Sequence, residues 1–246
     1  MINFLANPAR FLKVSKIAAP LMGWACAAAF IYGLWLALFA SPPALEHGHG
    51  VRIMYIHVPA AWCALLAYTL LTIASLVSFI WRHPLADVAA RSFAVPGMAF
   101  TFLALFTGSL WGKFAWGTWW EWDGRMTSVL VLLFIYMGYL ALWQVTTDRR
   151  RAARLASILA MVGFINIPII KFSVDWWDSL HQTATYSSPG APGTSPEIFM
   201  PLLVMALAYS LLLGWLSFRR VEAEIIRGRA ARETSAPTAT ATIETL

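Results

Sequence analysis

Charge is scarce in this 246-residue chain: Asp, Glu, Lys and Arg make up 12% of it, while 59% is apolar. Soluble domains carry about 25% charged residues, so the composition excludes an ordinary water-soluble fold. Cysteine is nearly absent. Cys26 and Cys63 are the only two, they lie in separate apolar runs, and no Cys-x-x-Cys spacing occurs. That leaves a disulfide framework and thiol–haem chemistry unsupported, and both are read as small buried apolar side chains. No Walker motif, Gly-x-Ser-x-Gly elbow or His-Glu-x-x-His is present, so no familiar hydrolytic signature is available. Acidic residues are missing from the long apolar runs too, and proton-coupled transport through them has no carrier.

What the chain does have is uncharged apolar length. Reading between charges gives runs over 17–40, 58–81, 92–112, 126–147, 155–170 and 198–218. About 20 helical residues cross a bilayer, and backbone groups in lipid must bond internally, so each run is expected to be a spanning helix. The fifth is short, but Lys171 can snorkel to the boundary. The expected fold is therefore an all-α integral membrane protein of six transmembrane helices. A tryptophan-rich loop lies between the third and fourth.

With six spans both termini fall on one side. Of the 18 Lys and Arg residues, 14 lie on that side; only Arg52, Lys113, Arg125 and Lys171 lie on the other. This bias puts the termini in the cytoplasm and accounts for the net charge of +6 without nucleic acid. Residues 1–16 read as an amphipathic cytoplasmic segment and 17–218 as the membrane domain, with outer loops at 41–57, 111–127 and 171–196. The 24-residue run at 17–40 is too long for a cleaved signal, whose apolar core is about 7–15 residues. Within the last loop, 187–196 reads as a Pro/Gly linker. Residues 219–246 read as a tail, basic to Arg232 and disordered beyond.

The second outer loop, Trp111-Gly-Lys-Phe-Ala-Trp-Gly-Thr-Trp-Trp-Glu-Trp-Asp-Gly-Arg-Met-Thr127, contains five of the 13 tryptophans. Indole suits membrane boundaries and flat ligands. An interfacial belt explains one or two such rings; five among glycines suit a planar, greasy ligand better. His57 lies shortly before Pro59, at the mouth of the second span, and His181 lies in the last outer loop. The topology places both on the face that carries the tryptophans. Two imidazoles with a broad apolar surround are what a planar macrocycle with octahedral iron requires. His47 and His49 sit in a glycine loop and read as solvated, and His83 lies on the opposite side.

The segment Trp116–Thr127 resembles the "WWD" signature of the haem-handling proteins of cytochrome c biogenesis. Tyr55–Trp62, Asp175–Gln182 and Leu5–Arg10 resemble, within that group, the cytochrome c maturation protein C (haem exporter protein C) family. The likeness runs from residue 5 to about 220. It implies a bacterial inner-membrane protein that presents haem b, non-covalently held as transient cargo, on the periplasmic side. It implies partners too: the periplasmic haem chaperone CcmE and the ABC-type complex subunits CcmA, CcmB and CcmD. Carried over residue by residue, the resemblance implies His57 and His181 as axial ligands and Trp116, Trp119, Trp120 and Trp122 as an aromatic platform. Asp123 and Arg125 match the signature, as a turn-former or chaperone contact and, for Arg125, as a propionate partner.

Alternatives are weaker. Haem lyases of the same superfamily are longer, with histidines inside their spans, where this chain is expected to have none. An intramembrane cytochrome would need histidine pairs at membrane depth. A plain permease leaves His57 and His181 without a role.

Overall fold

The computed structural model describes residues 7–44, 47–83, 85–181 and 195–235, with side chains as far as Ala230. Seven α-helices follow in order: α1 Pro8–Trp35, α2 Met54–Trp81, α3 Ala86–Trp116, α4 Gly124–Val145, α5 Arg149–Gly163, α6 Asn166–Trp176 and α7 Pro196–Ser235. Six stretches are long and apolar enough to cross a membrane, with α5 and α6 together making the fifth.

Local chemistry sets the helix ends. Pro8 occupies the first turn of α1, and Asn7 caps it by accepting the Ala9 N–H at 2.9 Å. Asp148 caps α5 by accepting from the Arg150 and Arg151 N–H groups. The fifth span breaks at Phe164 and Ile165. Pro168 has no N–H to return to the Phe164 carbonyl, which instead accepts from Ile167 at 3.0 Å.

Several helices are longer than the charge-free runs. α3 starts at Ala86 and takes Arg91 inside it. Arg91 is tolerated there because it meets Glu224 at 3.2 Å and lies over the Trp143 ring at 4.7 Å. Residues 8–16 are the opening turns of α1 rather than a separate segment, and α7 continues through the basic stretch to Ser235. One expectation is corrected. A 3₁₀ turn over His49–Ile53 feeds directly into α2, so the helix begins at Met54 and His57 lies within the second span. Residues 182–194 and 236–246, where most of the expected linker and the end of the tail fall, lie outside the described residues.

Two apolar clusters hold the bundle, and α2 contributes to both. One gathers Tyr55, Cys63, Phe100 and Tyr209; the other gathers Tyr68, Leu71, Leu132, Tyr136 and Tyr139. Cys26 and Cys63 are both buried and unpaired, Cys63 in the first cluster. Between helices in lipid, close approach and satisfied polar groups replace hydrophobic driving force. Tyr136 donates its hydroxyl to the Ala64 carbonyl at 2.9 Å, and Tyr68 donates to that of Ala160 at 3.1 Å. Each phenol needs a glycine beside it: a Cβ at Gly97 would overlap the Tyr136 hydroxyl, and one at Gly163 the Tyr68 hydroxyl.

These contacts predict that Gly97→Ala and Gly163→Ala each destabilise the fold by about 1–3 kcal/mol through overpacking. The midpoint of thermal unfolding in detergent should fall for both. Gly138→Ala, whose Cβ would meet only Leu159 at 3.5 Å, should leave it unchanged.

Candidate functional site

At one end of the bundle, α2, α3, α4, α6 and α7 surround a cavity of about 580 Å³. Ligand sites for small molecules fall between about 300 and 1,000 Å³. The walls are mostly aliphatic, with Val58, Leu65, Leu105, Val129 and Leu202 among them. The polar exceptions are few: His47, His57, Arg125, Lys171 and His181, with the indoles of Trp62, Trp111 and Trp116.

His57 projects from the first turns of α2 toward α3. Its Nδ1 lies 3.0 Å from the Thr107 hydroxyl oxygen. That hydroxyl has one hydrogen, which it gives to the Leu103 carbonyl at 2.7 Å. Thr107 Oγ1 therefore accepts from His57, Nδ1 carries the imidazole hydrogen, and Nε2 keeps its lone pair. The ring lies close against α3 because position 108 is glycine; a Cβ there would stand 3.1 Å from His57 Cε1.

His181 reaches the same end by another route. It follows α6, and its Nδ1 is 2.6 Å from Asp123 Oδ2. Asp123 is the N-cap of α4, its Oδ1 accepting the Met126 N–H at 2.8 Å. The Ser179 hydroxyl donates to the same Asp123 Oδ2 and accepts the His181 backbone N–H at 3.0 Å. The Trp116 ring stands edge-on to the imidazole, with centroids 4.7 Å apart.

Burial disfavours the Asp123 carboxylate, but the hydrogen bonds from Ser179, Met126 and His181 and the His181 charge together outweigh it, so its pKa lies below the ordinary value. Burial also governs His181. It lowers the histidine pKa against the raising effect of Asp123, with Arg125 adding to the lowering. At neutral pH the carboxylate is ionised and acceptor-only, and the imidazole is neutral with its hydrogen on Nδ1. Neither its Nε2 nor that of His57 bonds to a described residue.

The tryptophans divide. Trp116 lines the cavity, whereas Trp119, Trp120 and Trp122 do not. Trp119 and Trp122 are exposed, and Trp120 packs edge-on against Trp122 at 5.3 Å. The loop proper is short, because Trp111–Trp116 close α3 and Gly124–Thr127 open α4. Gly117 makes the turn with φ +79°, and Lys113 donates to its carbonyl at 3.0 Å. Arg125 lines the cavity, donates to the Lys171 carbonyl at 3.3 Å, and keeps a buried Nε without a partner among the described residues.

His47 departs from expectation. Half-buried, it lies on the cavity wall, edge-on to Trp111 at 4.8 Å. His49 is exposed, and His83 accepts the Leu85 N–H beyond the far end of α2. Taken singly, Thr107 and Ser179 carry no such signal in the sequence, and Trp111 and Lys171 read there only as one of the five loop tryptophans and as a snorkelling boundary residue. Thr107-Gly108 offered the one usable signal: a hydroxyl and a gap side by side in an otherwise bulky apolar run.

Two neutral imidazoles with unprotonated Nε2 atoms can each give one bond to a metal. Among the described residues no three His, Cys, Asp or Glu side chains come together to hold a bare ion. The donor set suits an iron whose remaining positions are filled by a macrocycle.

The family model for heme exporter protein C matches residues 1–236. The heme exporter protein C of Bradyrhizobium diazoefficiens is 49% identical over 225 residues, which is 92% of this chain and 85% of that one. That of Escherichia coli K12 is 39% identical over 221 residues, 89% of each chain. That of Haemophilus influenzae is 35% identical over 227 residues, 92% of each. The chain belongs to the heme exporter protein C family. It is a multi-pass membrane protein, with six helices of sufficient length and apolarity.

The Asp123–His181 pair can be tested without any ligand. In histidine-selective NMR, His181 should titrate below the ordinary histidine value of 6.5. Asp123→Asn should lower it further, because the carboxylate is what raises it. Asn caps helices as well as Asp does, so α4 is expected to stay intact.

Proposed function

We propose that the protein holds haem b non-covalently at the periplasmic face of a bacterial inner membrane and delivers it to the haem chaperone CcmE. His57 and His181 are the axial ligands. One observation carries this: two imidazoles on one apolar cavity, each with Nδ1 tied back and Nε2 unbonded to any described residue. A hydrogen-bond acceptor behind a ligating histidine fixes its tautomer and makes it more basic. Haem here is cargo and the protein a carrier rather than an enzyme.

The surroundings support the role. Trp116 and the aliphatic walls give the porphyrin apolar contact, while Arg125 and Lys171 on the same wall give cations to its propionates. Trp119 and Trp122, 56% and 74% exposed beside the site, leave an aromatic surface for a partner. The basic asymmetry of the chain supports an outward position for this end, on the side of the CcmE chaperone. The ABC-type subunits CcmA, CcmB and CcmD complete the assembly.

The absorption spectrum of the purified protein decides the ligand assignment. The wild type should show low-spin bis-histidine haem. His57→Ala and His181→Ala should each lose or alter it, and His49→Ala and His83→Ala should not. Unchanged spectra in both cavity variants would overturn the assignment. Protonation competes with iron for Nε2, and the His181 pKa is depressed. Haem should therefore stay bound as pH falls through about 6.5, where an ordinary histidine gains its proton, and leave at lower pH.

Transfer should be separable from binding. Trp119→Ala and Trp122→Ala remove exposed rings that do not line the cavity, so haem content should stay within about twofold while CcmE loading falls further. Parallel loss of both quantities would assign these rings to the pocket.

A further inference from the structure

At the end of the bundle away from the histidines, α3 and α7 leave a second cavity of about 270 Å³. Its wall is divided by chemistry. Val95, Pro96, Ala99 and Leu216 form an apolar part; Arg219, Arg220, Arg227 and Glu224 form a charged part. The division follows the chain, since the apolar run of α7 closes at Phe218 and the arginines begin at Arg219. A spanning helix leaves hydrocarbon for headgroups at such a point.

The charges do not balance. Glu224 already faces Arg91 at 3.2 Å, Arg149 at 3.9 Å and Arg227 at 3.2 Å. Arg219 is engaged with Glu222 at 2.6 Å. Arg220 has only a share of this charge: Glu224 attracts it without a close ion pair, and its buried Nε has no hydrogen-bond partner among the described residues. A shielded guanidinium N–H without an acceptor is costly, and the cost is removed when an anion supplies one.

We propose that this cavity binds the phosphate of an anionic phospholipid. Phosphate oxygens accept from Arg220 and the neighbouring arginines, for which the planar guanidinium is well shaped. The first acyl carbons lie along Val95, Pro96, Ala99 and Leu216, and the rest of each chain runs outward over the bundle. Free phosphate satisfies only the charged part of the wall, and a zwitterionic lipid brings its own cation to an already positive site. Basic pockets between spanning helices at the membrane boundary are suited to such headgroups. The site is separate from the histidine cavity and does not depend on the haem assignment.

The test uses the full chain, purified in a neutral detergent. It is titrated with phosphatidylglycerol, with phosphatidylcholine of the same acyl chains, and with inorganic phosphate. Native mass spectrometry reads the adducts, and thermal unfolding reads the stabilisation. Phosphatidylglycerol should give a retained adduct and a raised midpoint, and the other two should give neither. Arg220→Gln should weaken phosphatidylglycerol binding about tenfold, as expected for the loss of one charge-assisted hydrogen bond. Arg154→Gln, an exposed arginine outside the cavity, should bind as wild type does. Equal adducts from the two lipids, a phosphate response matching that of phosphatidylglycerol, or undiminished binding by Arg220→Gln would each overturn the proposal. The two-lipid comparison on the wild type needs no variant, so it decides the matter even if Arg220→Gln does not fold.

Discussion

The arrangement at the histidine end depends on one buried carboxylate. Only 2% of the Asp123 side chain is exposed, so its charge is tolerable only if donors replace the water it has lost. Three groups do so: the Met126 N–H, the Ser179 hydroxyl and the His181 imidazole. The first closes the start of α4. The other two tie down the segment that follows α6, which no helix holds. One side chain thus ends the tryptophan loop, starts a membrane span and positions a histidine distant in sequence. Removing the charge would leave the cap serviceable and the histidine without its acceptor.

The two imidazoles reach equivalent states by unequal means. His57 is carried by a helix and oriented by a threonine hydroxyl whose own hydrogen is committed to the backbone of α3. Its position is as rigid as the packing of α2 on α3, with Gly108 giving the clearance. His181 lies on irregular chain and is oriented by an ionised carboxylate. A carboxylate partner makes an imidazole a stronger donor than a hydroxyl does, so the two sides of the cavity differ in basicity as well as in stiffness.

The opposite end shows the complementary economy of charge. There, arginines and glutamates of α3, α5 and α7 form a network in which Glu222 and Glu224 are both paired, while the Arg220 Nε has no hydrogen-bond partner among the described residues. Buried tyrosine hydroxyls between the two ends satisfy carbonyls across helices.

Length and composition alone determined the number of spans, because a run of about 20 uncharged apolar residues has no stable place in water and few conformations in lipid. That His57 and His181 come to one end of the bundle was legible too, because the order of the spans alone puts their segments on one face. The exact helix limits were not. Arg91 is inside α3 and His57 inside α2 because Glu224, Trp143 and Thr107, from other parts of the chain, make those positions acceptable. Nor could the sequence divide the tryptophans into Trp111 and Trp116 on the cavity wall and Trp119, Trp120 and Trp122 away from it. That division depends on where α3 ends and Gly117 turns, a matter of helix phase that only packing resolves. Least legible was the role of Asp123, whose cap is a local signal but whose hold on His181 spans 58 residues. Composition records what a chain can place in a membrane; which atoms meet there was decided by the tertiary fold, because hydrogen bonds between distant segments leave no trace in local pattern.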